Sequence, residues 1–259
     1  MKNIKDVINN IKKTKPLVLN LTNFVTMDFV ANCLLSVGAA PIMCVYEDEV
    51  EELVNLSSVI YINIGTLDDG FIKLIKKAIT LSQQYNKPIV LDPVGCGATK
   101  IRTKVASDLA PYCQIIRGNA SEVMALGNDS FLTKGVDSVH RTEDATEVAD
   151  NIAHHTDSTI IVSGAKDYIT NGIHTKQIGF GSPLMTNITG MGCCLTAVIA
   201  ATLAITHKPF EAGIIGAEFF SLCGELVSQK HKKPGSFKSA FIDMLYSPDF
   251  NAMRKLYEQ

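Results

Sequence analysis

Charge is what this chain has little of. Charged residues make up 19% of its 259 residues, apolar residues 46%, and the formal net charge is -2. A disordered chain needs the reverse composition. The near-neutral balance leaves no electrostatic footprint for nucleic acid or an anionic membrane. The seven cysteines include no CxxC pair, and the only close pair, Cys193-Cys194, is adjacent and so poorly placed to bridge. An odd count set within apolar runs reads as reduced thiols of a cytoplasmic protein. A secretory signal is also missing. Ile4, Val7, Ile8 and Ile11 recur at helical spacing between Asn3 and Lys13, which makes an amphipathic surface helix. The longest uncharged run, Gln177 to His207, is broken by Gly179, Gly181, Pro183, Asn187, Gly190 and Gly192. Its apolar part, Met191 to Ile205, is shorter than the roughly 20 residues that span a bilayer, so a buried core helix is expected. No Pro/Ser-rich linker, repeat or low-complexity tract divides the chain, and one domain over residues 1–259 is expected.

What is present is an alternation of short β-branched runs with longer helical patterns. Strands are expected at Leu17–Thr22, Pro41–Val45, Val59–Gly65, Pro88–Pro93, Gln114–Gly118 and Thr159–Gly164. Helices are expected at Thr26–Ser36, Asp68–Gln84, from about Arg102, at Thr142–His155 and from Met191 almost to the end. Tyr168–Thr170 and His174–Ile178 read as a hairpin with a primed turn at Asn171-Gly172. Apolar strands alternating with helices predict an α/β fold, a three-layer αβα sandwich around a mostly parallel sheet.

In such sheets ligands bind beyond the carboxyl ends of the strands. Asn23, Asp92, Arg117-Gly118-Asn119 and Ser163-Gly164 stand there. Each also has a plain structural reading: Asp92 before Pro93 suits an ordinary turn, and Asn119 with Glu122 suits a capping box. The segment NITGMGCCL (Asn187 to Leu195) runs from a strand-like approach through glycines into an apolar helix. Gly190 and Gly192 there would let backbone N–H groups face an anion at a helix N-terminus. No Lys follows, so it is not a Walker A loop, and it lacks dinucleotide GxGxxG spacing. A tight turn for helix–sheet contact is the alternative. Of the two cysteines, one should face the turn's mouth, with its pKa lowered by the helix terminus, and the other the core. Simple packing of both is the alternative.

The segments LTNFVT, ANCLLSVGAAPIM, NIGTL, LDPVGCGAT, RGNASE, TKGVDS and TGMGC, in this order from about Leu17 to PGSF at Pro234–Phe237, resemble the hydroxyethylthiazole kinases of the ribokinase-like superfamily. The resemblance implies ATP-dependent phosphorylation of the alcohol of 4-methyl-5-(2-hydroxyethyl)thiazole, with Mg²⁺, in a homotrimer whose sites lie near subunit interfaces. It implies that TGMGC is the anion hole and that Cys193 occupies the base position, where most sugar kinases of the superfamily carry Asp. Asn23, Met43 and Gly190 are implied as thiazole contacts. Arg117, Ser163 and Asn119 are implied at the ATP, and Asp92 and Glu122 at the Mg²⁺. Met191 departs from the usual small residue, and Cys194 from a common Leu.

Three other readings stay in view. One is a hydroxymethylpyrimidine-type or other small-alcohol kinase, and another a nonenzymatic nucleotide-binding regulator. The third is a cysteine hydrolase, which needs a His beside Cys193. None of His140, His154, His155, His174, His207 and His231 follows an expected strand.

Overall fold

The computed structural model describes residues 1–130 and 142–258. TKGVDS and His140 lie outside the described residues. Six parallel strands, β1 (Leu17–Leu21), β2 (Ala40–Met43), β3 (Val59–Asn63), β4 (Ile89–Asp92), β5 (Ile115–Asn119) and β6 (Thr159–Ser163), are joined by the antiparallel β7 (Asp167–Thr170) and β8 (Thr175–Ile178). The sheet order is β2-β1-β3-β4-β5-β6-β7-β8. The helices are α1 (Lys2–Thr14), α2 (Met27–Val37), α3 (Val50–Leu56), α4 (Asp69–Gln84), α5 (Lys100–Leu109), α6 (Ala120–Ser130), α7 (Thr146–Thr156), α8 (Met191–Thr206), α9 (Pro209–Lys230), α10 (Pro234–Tyr246) and α11 (Phe250–Tyr257).

Two apolar cores sandwich the sheet, as the expected three-layer α/β class requires. One gathers side chains of α1, α2 and α8–α11 against Val18, Tyr61, Val90, Ile115 and Ile161. The other gathers α3–α7 against Leu19, Ile60, Ile62, Ile89, Leu91, Ile116 and Ile160. The period-2 alternation of a strand decides which residues meet which layer. Continuing the first set by two residues gives Asn20, Asn63, Asp92, Arg117 and Ser163. The sheet face that carries apolar residues under α8 thus turns polar at its carboxyl edge. Register pairs Asn63 with Asp92 and Asn119 with Ser163, so these ends are level.

Three local expectations changed. Helix α3 is a seven-residue helix in an acidic stretch, too short to show a helical period. The approach to α8 is a 3₁₀ turn, Pro183–Asn187, started by Pro183 and capped by Ser182, not a strand. In the β7–β8 hairpin only Gly172 takes a positive φ, 81°. Asn171 Oδ1 accepts the N–H groups of Ile173 and His174, so an Asn side chain closes that turn in place of a primed pair at Asn171-Gly172. None of the seven cysteines forms a disulfide; six are buried and Cys193 alone is half-buried. Among the described residues no helix is long and apolar enough to cross a membrane.

Helix α8 lies closest to α9 at Gly216. A Cβ there would meet Ile199 Cγ1 at 2.8 Å and the Ile199 Cα at 3.0 Å. Because the second of these is backbone, the helix itself must move. Gly216→Ala is expected to cost about 1–3 kcal/mol. Urea unfolding should show a lower midpoint at an unchanged slope, and an unchanged midpoint would show that the helices separate freely.

Candidate functional site at the N-terminus of α8

Gly190 is the N-cap of α8, with φ 93°, a left-handed conformation that suits glycine. There is no room for more: a Cβ on Gly190 would meet Thr26 Cγ2 at 2.9 Å and Phe29 Cδ1 at 3.2 Å. One position inside the helix, a Cβ on Gly192 would meet Arg117 Nη1 at 2.6 Å. These two glycines therefore let the helix terminus sit directly against α2 and Arg117. The first-turn N–H groups have no partner within a helix and carry the positive end of its dipole. The place has what an anion site needs.

Beneath it lies a polar cluster from the strand ends. Asp92 is fully buried, and its Oδ2 accepts from Thr196 Oγ1 at 2.9 Å, Asn63 Nδ2 at 3.2 Å and the Tyr61 hydroxyl at 3.4 Å. Its Oδ1 has no hydrogen-bond partner and stands 3.8 Å from Arg117 Nη1. Burial, with Glu122 adding repulsion, raises this carboxyl to about 6 against the pull of Arg117. Arg117 Nη2 donates to Ser163 Oγ, while its buried Nε has no partner. Asn119 and Glu122 do form the capping box: Asn119 N–H donates to Glu122 Oε2 at 2.9 Å, and Glu122 N–H to Asn119 Oδ1 at 3.0 Å. Glu122 Oε1 accepts from Gly95 N–H at 2.9 Å, tying the LDPVGCGAT turn to α6.

Cys193 faces the mouth and Cys194 the core, as helical geometry predicts. Asn63 Nδ2 lies 3.2 Å and Asn23 Nδ2 3.6 Å from the Cys193 sulfur. The expected lowering of its pKa is overturned. Burial and the nearby Asp92 push the thiol up, outweighing Thr26, Asn63 and Arg117, which pull it down. Among the described residues no His partners this sulfur, and His207 caps the far end of α8.

The expected residues fall into two groups on either side of the helix terminus. Arg117, Asn119, Ser163, Gly190 and Gly192 line an open cleft of about 660 Å³, whose apolar wall includes Phe180, Met185 and Phe220. Asn23, Asn63 and Cys193 form a hydrogen-bonded group on the other side. Met43 ends β2 at the neighbouring strand and packs, half-buried, against the core that holds Met191 and Cys194. Met191 finds its room inward and is buried. The strand-end rule that selected Asn23 and Asp92 also reaches Asn63, which sequence reasoning passed over. Thr196, four residues from Gly192 on the same helix face, was legible only once α8 was known to cover Asp92.

Among the described residues no three His, Cys, Asp or Glu side chains gather to cage a metal. Asp92 Oδ1, buried and unpartnered, and the lone pairs left on Glu122 still suit a hard cation that keeps waters and shares ligand oxygens.

A model of the hydroxyethylthiazole kinase family matches residues 8–249. A hydroxyethylthiazole kinase of Chlamydia caviae is 48% identical over 98% of this chain and 98% of its own. The structure of a hydroxyethylthiazole kinase protein from Pyrococcus horikoshii OT3 superposes with a TM-score of 0.90 at 36% identity, covering 98% of this chain and 96% of that one. A ribokinase-like superfamily protein from Enterococcus faecalis V583 shares the fold at 18% identity, with a TM-score of 0.69 over 97% of this chain and 94% of that one.

Asp167 also lines the cleft. Burial raises its carboxyl from 3.8 to about 6, against the pull of Gly164 N–H and Arg117. A folded-state pKa above the unfolded value means that the folded chain holds the extra proton between these limits. The group's contribution to stability therefore falls as pH rises from about 4 to about 6. Asp167→Asn, which keeps an acceptor for Gly164, should flatten that fall, with Asp92 supplying the remainder. Parallel profiles of unfolding temperature against pH in the two proteins would show that Asp167 titrates normally.

Proposed function

The chain belongs to the hydroxyethylthiazole kinase family, and from that premise we propose how its residues carry ATP-dependent phosphorylation of the hydroxyl of 4-methyl-5-(2-hydroxyethyl)thiazole, a step of the thiamine pathway. The observation that supports this most is the half-buried N-terminus of α8, with Arg117 on one side and the Asn23–Cys193 pair on the other. A phosphoryl donor in the cleft and an alcohol beside Cys193 would meet across that terminus.

Phosphoryl transfer through a loose transition state needs positioning and charge stabilisation more than covalent help. The N–H groups at Gly192 and Cys193 would bind the transferring phosphoryl oxygens, in a place where the dipole is already oriented. Arg117, released from Ser163 or sharing it, would bind phosphate oxygens through directional hydrogen bonds. Ser163 and Asn119 would contact ATP. Asp92 and Glu122 would hold Mg²⁺, in part through water. When bound, the ion would offset charge developing on the phosphate oxygens. Asn23, Met43 and Gly190 would contact the thiazole alcohol. Burial and Asp92 keep the Cys193 thiol protonated at rest, so only its minor thiolate form would take the hydroxyl proton. A weak base suffices where proton removal comes late. We further propose a single kinase domain over residues 1–259, a cytoplasmic location and a homotrimer with sites near its interfaces.

ADP release should rise sharply when the thiazole alcohol is added to enzyme, ATP and Mg²⁺, and no stimulation would sink the reading. Cys193→Ala should keep measurable turnover, because general-base help is about 10²–10⁴-fold at most. Cys193→Asp should keep or improve it, since an acid beside Asp92 is raised toward the working pH. A Cys193→Asp protein that folds and binds ATP but is inert would count against the base position.

A further inference from the structure

Asn63 touches both Cys193 and Asn23 in the proposed acceptor group. Its Oδ1 accepts the backbone N–H of Gly65 at 2.9 Å. Only an oxygen can accept there, which fixes the orientation of the amide. Its Nδ2 is thereby aimed at Cys193 Sγ at 3.2 Å, Tyr61 Oη at 2.8 Å and Asp92 Oδ2 at 3.2 Å. Asn23 is fixed in the same way. Its Oδ1 accepts Thr26 N–H at 3.0 Å, so its Nδ2 faces Asn63 Oδ1 at 2.9 Å and Cys193 Sγ at 3.6 Å.

Asn63 can therefore give one of its two N–H donors to the Cys193 sulfur, and it supplies the acceptor that holds Asn23, whose nearer acceptors are Thr26 Oγ1 and Asn63 Oδ1, both at 2.9 Å. The surroundings keep Asn63 in this pose. It is fully buried, and a Cβ on Gly65 would meet its Oδ1 at 2.9 Å. Arg102 Nη2 donates to Gly65 O at 2.8 Å and holds that loop to α5.

We infer that Asn63 is a positioning residue for phosphoryl transfer, setting the Cys193 sulfur and the Asn23 amide in register for the acceptor hydroxyl. The inference rests on the acceptor site proposed above. The side chain is assigned no contact with the alcohol or ATP: it acts through Cys193 and Asn23.

The test is a double-mutant cycle with a thiol probe. Asn63→Ser removes the amide. Asn63→Asp keeps the acceptor for Gly65 and Asn23, replaces the donor with a carboxyl oxygen set against Asp92 Oδ2, and serves if the first variant does not fold. Each should lower kcat for the thiazole alcohol about tenfold or more, while the KM for ATP stays within about twofold. In the Cys193→Ala background the loss should shrink to about threefold or less, because the two residues act together. An equal loss in both backgrounds overturns the inference.

N-ethylmaleimide supplies a readout that needs no turnover, since Cys193 is the only cysteine that is not buried. At one fixed pH its alkylation should slow about threefold or more when the donor is lost. Should Cys193→Ala leave kcat unchanged, or the alcohol not be phosphorylated, the acceptor reading fails on its own. Slowed alkylation then still supports Asn63 as the residue that sets the sulfur, and unchanged alkylation overturns it.

Discussion

A carboxylate held out of water beneath a helix terminus is the constraint on which the rest of this site depends. Asp92 has one oxygen satisfied by three donors and the other left bare. An unpaired buried acceptor is costly, and proteins tolerate few of them. Three residues on two elements, Tyr61 and Asn63 on β3 and Thr196 on α8, supply donors to the same Oδ2. They fix which oxygen is satisfied and leave Oδ1 turned toward Arg117. The arrangement makes sense if that oxygen has a partner in the working enzyme, and the hard cation proposed for kinase chemistry is of the right kind.

The same constraint explains why the glycines matter. Positive charge has to come close to Asp92 without a lysine in the 31-residue uncharged run from Gln177 to His207. Backbone N–H groups at the start of α8 add positive potential beside Arg117, and that helix end can sit against Thr26 and Arg117 only because Gly190 and Gly192 carry no Cβ. The guanidinium of Arg117 then spans the gap between Ser163 and Asp92. Low charge in the sequence and high local potential in the fold are therefore compatible.

Much of this was legible in the sequence because the strands are. Apolar runs at fixed intervals determine the sheet, and the period of two carries Asp92, Arg117 and Ser163 to the face covered by α8. Less legible was whatever depends on which strand lies beside which. Asn63 pairs in register with Asp92 although they are 29 residues apart, and nothing local to VIYIN announces that neighbour. The sign of the Cys193 shift was misjudged for a related reason. A helix terminus favours thiolate, but burial and a nearby carboxylate oppose it, and neither can be read from position in a helix. Glu122 shows that two readings of one residue can coexist. It caps α6 and ties down Gly95 with one lone pair from each oxygen, which leaves the others for a cation.

The placing of a thiol beside Asp92 has a further electrostatic consequence. Two carboxylates so close in a buried site would repel, and one would be held protonated near neutral pH. A thiol at position 193 escapes that repulsion by staying neutral at rest. It leaves Asp92 alone as the ionisable acid beneath α8, with Arg117 as its counter-charge. The cost, in the proposed role of base, is a thiol that is rarely ionised. Donors from Asn23 and Asn63 fit this arrangement: they hold the sulfur as an acceptor and so favour its thiolate only to the extent that burial and Asp92 permit.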